Sequence, residues 1–183
     1  MRHVISGEAS IPALGLGTWR LAGDACSRAV EHALEAGYRH IDTAKLYGNE
    51  REVGSAIRAS GLSREDLFVT TKLWWEDLGP SEIAGAIGES LDRLGSYADL
   101  LLIHWPHPDL PVEPMLEAMS LALERGQVKH LGVSNFPVAL LERAVRVAPI
   151  VCNQVEFHPY LAQAAVWGAC RRHGVALLSL IHI

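Results

Sequence analysis

Residues 40–72 open on His40-Ile41-Asp42-Thr43-Ala44 and close on Leu67-Phe68-Val69-Thr70-Thr71-Lys72. Each run is short, apolar in most positions and carries a charge near its end, Asp42 in one and Lys72 in the other. Between them, from Gly48-Asn49-Glu50 onward, the pattern is helical. A strand buried on both faces reads as a near-continuous apolar run, and a helix between two such runs makes a parallel crossover unit. The same alternation extends in both directions. Upstream lie Leu14-Gly15-Leu16-Gly17-Thr18 and a helix over Asp24–Gly37, with Ala25, Ala29, Val30, Ala33 and Leu34 on one face and Gly37 closing it. Downstream come further strands at Asp99–Trp105, His130–Ser134, Val151–Glu156 and Val175–Ser179. Helices are expected over Pro80–Gly95, Val112–Gly126, Pro137–Val147 and Ala162–Gly174. Arg2–Ser6, Gly7-Glu8 and Ala9–Pro12 read as a small hairpin ahead of the first unit.

Strict alternation of strand and helix implies a parallel sheet with right-handed crossovers. Two architectures are compatible with it, an open doubly wound sheet and a (β/α)8 barrel. Chemically active side chains follow five different strands, at Asp42, Lys72, His104, Ser134 and Glu156. Only a barrel brings the C-terminal ends of many strands to one face, whereas an open sheet concentrates function at one switch point. The expectation is therefore an α/β (β/α)8 TIM barrel with a short N-terminal hairpin. It is an incomplete one: 183 residues hold about seven of the eight strands, against about 250 residues for a typical barrel.

Composition narrows the partners. Sixteen basic against 21 acidic residues give a net charge of -5, with no basic run to hold nucleic acid or an anionic membrane. The N-terminus has no apolar leader and no stretch is apolar enough to span a bilayer, so a cytoplasmic monomer acting on a small molecule is expected. Cys26, Cys152 and Cys170 lie far apart without a CxxC and read as packing residues. His104 and His107 are three apart, but Pro106 interrupts any helix that would align them and no third ligand is evident, so no metal site is expected.

Asp42, Tyr47, Lys72 and His104 form the candidate cluster, carried by neighbouring loops of the barrel rim. A tyrosine near pKa 10 is a poor proton donor at neutral pH. A lysine beside it favours the phenolate, and an aspartate keeps that lysine charged and oriented. A neutral histidine offers a hydrogen-bond donor to a carbonyl oxygen. The set is a general acid aimed at a carbonyl, with no nucleophile among its members, so the attacking species must come from a cofactor.

Six motifs occur in order: Gly15-Leu16-Gly17-Thr18-Trp19, Gly37-Tyr38-Arg39-His40-Ile41-Asp42-Thr43-Ala44-Lys45-Leu46-Tyr47-Gly48-Asn49-Glu50, Thr70-Thr71-Lys72-Leu73-Trp74, Leu102-Ile103-His104-Trp105-Pro106, Gly132-Val133-Ser134-Asn135-Phe136 and Asn153-Gln154-Val155-Glu156. Together they resemble the aldo-keto reductase family, over about residues 11–177, and within it the bacterial branch that reduces 2,5-diketo-D-gluconate and methylglyoxal. The resemblance implies hydride transfer from NADPH to an aldehyde or ketone. It implies Tyr47 as proton donor, Lys72 and Asp42 as its tuning pair, and His104 as the group orienting the carbonyl. Ser134, Asn135 and Gln154 would bind the nicotinamide carboxamide, with Asp42, Gly17 and Thr18 also against the cofactor. Trp19, Trp74 and Trp105 would line the substrate pocket with Tyr47 and His104.

The family's later aromatic loop and its residues for the adenosine 2'-phosphate have no counterpart here. Residues 1–177 are therefore expected to be one partial barrel, with first and seventh strands as open edges and doubtful activity. Leu178-Ser179-Leu180-Ile181-His182-Ile183 is what a transposon mosaic-end sequencing adapter encodes in one frame, so 178–183 is expected to be a non-native tail. The alternatives are a non-functional fragment and a cofactor-binding homologue without turnover. A non-catalytic homologue would need no proton donor, and the presence of Tyr47 and His104 argues against it.

Overall fold

Residues 2–79 and 81–179 are described by the computed structural model. The hairpin forms where the sequence places it, β1 (His3–Ser6) antiparallel to β2 (Ala9–Pro12), with Ser6 opposite Ala9. Seven parallel strands follow: β3 (Leu16–Gly17), β4 (His40–Asp42), β5 (Phe68–Leu73), β6 (Ala98–Ile103), β7 (Val128–Ser134), β8 (Ile150–Val155) and β9 (Ala176–Ser179). Their spatial order is their chain order, so every crossover advances one place in the same direction and the sheet curls into a partial (β/α)8 barrel. Among the described residues β3 pairs only with β4 and β9 only with β8. The crossovers are α1 (Gly23–Glu35), α2 (Glu50–Ala59), α3 (Ile83–Leu94), α4 (Val112–Glu124), α5 (Val138–Val147) and α6 (Ala164–Arg172).

All six residues of β5, β6 and β8 are buried, as strands covered on both faces must be. Ile41 and Val69 face outward against Cys26, Val30 and Val53 of the helices, while Leu101 and Ile103 pack with Met115, Leu116 and Leu131. The alternate residues Phe68, Leu100, Leu102 and Cys152 point into the barrel, where Ala9 and Ile11 of the hairpin meet them. The hairpin thus plugs the N-terminal mouth. Ser6 secures it, donating to Val151 O at 2.6 Å and accepting from Ala176 N at 3.1 Å. All three cysteines are buried and unbridged.

Element ends differ from the sequence reading by at most three residues. The first strand shrinks from Leu14–Thr18 to Leu16–Gly17, since Gly15 lies hard against the His40 ring and the chain turns away beyond Gly17. Helix α3 begins at Ile83; Pro80, expected to start it, lies outside the described residues. Of the expected tail 178–183, Leu178 and Ser179 belong to β9, and 180–183 lie outside the described residues. Among the described residues no helix is long and apolar enough to cross a membrane.

Candidate active site

The period of two along a strand decides what reaches the open mouth. In β4, Asp42 is the last residue and points inward two places above His40; in β5, Lys72 stands two places above Thr70. The inward Lys72 is fully buried and Asp42 nearly so. Lys72 Nζ forms an ion pair with Asp42 Oδ1. It also donates to Thr43 O at 2.9 Å and to Tyr47 Oη at 3.4 Å. Tyr47 comes from a single turn of 3-10 helix after β4 (residues 45–47), ended by Gly48 at φ 68°, a left-handed conformation that glycine adopts without strain. His104 follows β6 directly, and its ring meets the Tyr47 ring edge-on with centroids 5.6 Å apart. The four expected catalytic residues therefore converge.

Burial and charge set their protonation. Burial works to lower the Lys72 pKa, but Asp42 and the Tyr47 oxygen overcome it, and the ammonium form is held above its ordinary range. Burial pushes His104 down from 6.5 to about 4, helped by Lys72, so the imidazole is neutral at pH 7. Its Nδ1 is buried with no partner. A proton on Nε2 leaves that atom an unpaired acceptor rather than an unpaired donor, the less costly alternative. Tyr47 departs from expectation. Burial raises the phenol above its usual value and Asp42 adds to this, so the pull of Lys72 is outweighed rather than dominant. The phenol is fully protonated at neutral pH, and Lys72 limits how weak an acid it becomes.

Behind these groups, Gln154 at the end of β8 donates from Nε2 to Asp42 Oδ2 at 2.6 Å, joining residues 112 positions apart. Its Oε1 is buried without a partner. Ser134 ends β7 and donates to Gln154 O at 2.8 Å. Asn135 takes the left-handed conformation, φ 61°, donating from its backbone to Gln154 O at 2.9 Å and from Nδ2 to His104 O at 3.0 Å. An orphaned acceptor beside a strained asparagine fits a primary carboxamide, whose N–H groups would satisfy Oε1. Gly17 is exposed, and a Cβ there would meet nothing within 4 Å, which leaves open space in front of β3. Thr18 is buried, and its backbone N–H and hydroxyl both bond Asp42 O, at 3.0 and 3.1 Å. Its hydroxyl is thus committed to the protein.

The tryptophans separate. Trp74 packs edge-on against His104 at 5.3 Å. Trp19 and Trp105 are about half exposed, 52% and 49%, and Trp19 stacks under the Arg20 guanidinium at 4.4 Å. Glu156 is exposed and pairs with His158 at 3.0 Å, so it stands apart from the cluster. His107 accepts the backbone N–H groups of Asp109 and Leu110, both at 3.0 Å, as a loop brace. No group of three potential metal ligands occurs among the described residues. Two residues the sequence did not single out are part of the site's frame. Glu50 is buried and accepts from Thr71 Oγ1 at 2.5 Å and Arg93 Nε at 2.7 Å, and Asn49 is bonded through every polar atom of its side chain. A polar residue at the start of a helix reads as an ordinary cap, so nothing local flagged either one.

Known proteins resemble this chain in sequence and in fold. Residues 13–180 match the family model described as "Aldo/keto reductase family". The chain is 42% identical over 176 residues to the methylglyoxal reductase DkgB of Escherichia coli O157:H7, covering 93% of this chain and 66% of that one. It is 47% identical over 179 residues to an aldo-keto reductase of Mycobacterium avium, 96% of this chain and 63% of the other. Among solved structures, one assigned provisionally as 2,5-diketo-D-gluconic acid reductase B superposes with a TM-score of 0.94 at 44% identity, covering 98% of this chain and 65% of that one. The chain thus spans about two thirds of the length of these relatives.

Proposed function

Because the chain belongs to the aldo/keto reductase family, we propose that the protein reduces the carbonyl group of small aldehydes and ketones, dicarbonyls such as methylglyoxal or 2,5-diketo-D-gluconate among them. The proposed cofactor is NADPH, whose reduced nicotinamide would supply a hydride to the carbonyl carbon. Gln154, Ser134 and Asn135 would hold its carboxamide, with Gly17, Thr18 and Asp42 along its approach.

The remaining chemistry belongs to the chain. As negative charge develops on the carbonyl oxygen, Tyr47 Oη gives up its proton to it, and an alcohol results. Lys72 Nζ, 3.4 Å from Oη, stabilises the phenolate left behind. Asp42 and Thr43 O fix the ammonium there. His104, neutral at pH 7, can donate to the same oxygen and orient it without competing as an acid. Trp74, packed on His104, would exclude water from one side, with Trp19 and Trp105 closing on the substrate from the rim. All four groups lie on one chain, so the proposed working unit is a monomer.

The observation that carries this reading is the single lysine nitrogen shared by Asp42, Thr43 O and the Tyr47 phenol. Tyr47→Phe in the full-length protein tests it. Turnover of methylglyoxal should fall about 10²–10⁴-fold, while nucleotide affinity, read by fluorescence quenching, stays within a few-fold. A Phe variant keeping a third of the activity would remove Tyr47 as the donor.

A further inference from the structure

Asn49 is buried to 1% exposure two residues beyond Tyr47, and its side chain is saturated. Oδ1 accepts from Thr43 Oγ1 at 2.7 Å; Nδ2 donates to Thr18 O at 2.9 Å and to Leu21 O at 2.8 Å. Two of the three partners lead directly to the Lys72–Asp42 pair. Thr43 presents the carbonyl that binds Lys72 Nζ, and Thr18 supplies the two donors that hold the Asp42 carbonyl. Asn49 therefore joins the turn bearing Tyr47, the loop between β3 and α1, and the supports of both Lys72 and Asp42. An N-cap requires only one side-chain acceptor for backbone N–H groups. No such cap bond is made here; all three polar contacts go to other segments.

We propose that Asn49 is a positioning residue for carbonyl reduction, setting the reach of the Lys72 ammonium to the Tyr47 phenol while locking the β3–α1 loop to the acid-bearing turn. The inference rests on the function proposed above. Misplacing a catalytic group by about 1 Å can cost a hundredfold in rate, and the Lys72–Tyr47 contact is already long for a hydrogen bond at 3.4 Å. The charged or titratable groups that face the phenol are Lys72 from β5, Asp42 from β4 and His104 beyond β6. Of these, Lys72 alone strengthens the acid.

The test uses the full-length protein with methylglyoxal and NADPH, following kcat, KM and thermal midpoint across pH 6–12, since the phenol titrates above its usual value. Asn49→Ala should lower kcat at pH 7 about tenfold to a hundredfold and move the alkaline limb of the kcat profile upward, because a more distant ammonium leaves the phenol a weaker acid. Thr43→Val replaces only the hydroxyl, by a methyl group, and should move the limb the same way by less, which keeps the inference testable if Asn49→Ala folds poorly. A merely structural asparagine would lower the thermal midpoint and leave the limb in place. Limbs unmoved in both variants, with kcat per folded molecule within twofold, would overturn the role of Asn49 while leaving the carbonyl-reductase reading intact. A wild-type protein that turns over no dicarbonyl would overturn both.

Discussion

Replacing Lys72 by Met separates what the buried pair contributes to folding from what it contributes to chemistry. Methionine matches the length and much of the volume of the lysine stem, so packing is disturbed little. The loss is electrostatic. Asp42 would keep its bond from Gln154 Nε2 at 2.6 Å but lose its only cationic partner among the described residues. Removing one member of a buried pair costs about 3–5 kcal/mol, because the other charge remains desolvated and uncompensated. Against a total stability of about 5–15 kcal/mol this is a severe loss. With a urea m value of about 3 kcal/mol/M, the unfolding midpoint should drop by about 1–2 M. Replacing both members, Asp42→Leu with Lys72→Met, should recover most of that stability, since a buried pair exchanged for apolar side chains is often neutral. Neither variant should regain activity, because the phenol has lost the one neighbour that strengthens it. The assay is a double-mutant cycle by urea unfolding, with turnover measured on the same samples. If the double variant is destabilised by the sum of the single effects, the two residues are not coupled and the electrostatic account of the site is wrong.

Acid should expose the buried imidazole. His104 titrates from 6.5 down to about 4 on folding, so the unfolded chain binds more protons between those values. Stability therefore falls as pH drops through that window, by roughly 3 kcal/mol from this residue. His40 and His130, also lowered by burial, act in the same direction. His104→Gln should flatten the decline in urea midpoint between pH 6.5 and 4; an equally steep decline would show that the histidine is not desolvated. Gly54→Ala tests the packing of α2 on α3. The added Cβ would lie 2.1 Å from Leu94 O, a backbone atom with no room to yield, so a loss of 1–3 kcal/mol or more is expected by thermal unfolding. A midpoint unchanged within 1 °C would contradict that contact.

Much of this protein is legible in its sequence because the signals are local. The hairpin at β1 and β2, the six helices and the seven strands follow from apolar period, glycine stops and the alternation of the two element types, each set by residues within a few positions of one another. The chain ends of the strands also place Asp42, Lys72 and His104 on one rim once a barrel is chosen, since a parallel barrel has one C-terminal face. What the tertiary structure alone decided concerns contacts between distant residues. Gln154 reaches Asp42 across 112 positions; Asn49 reads as a helix start and serves instead as the bond between three segments. Trp19, Trp74 and Trp105 look equivalent after their strands, yet only Trp74 packs on His104, because side-chain direction in a loop depends on what surrounds it. The phenol is the clearest case. A sequence supplies the neighbouring lysine, and so the expectation of a strengthened acid, but the opposing effect is desolvation, which exists only once the surrounding chain has closed around Tyr47 and removed its water.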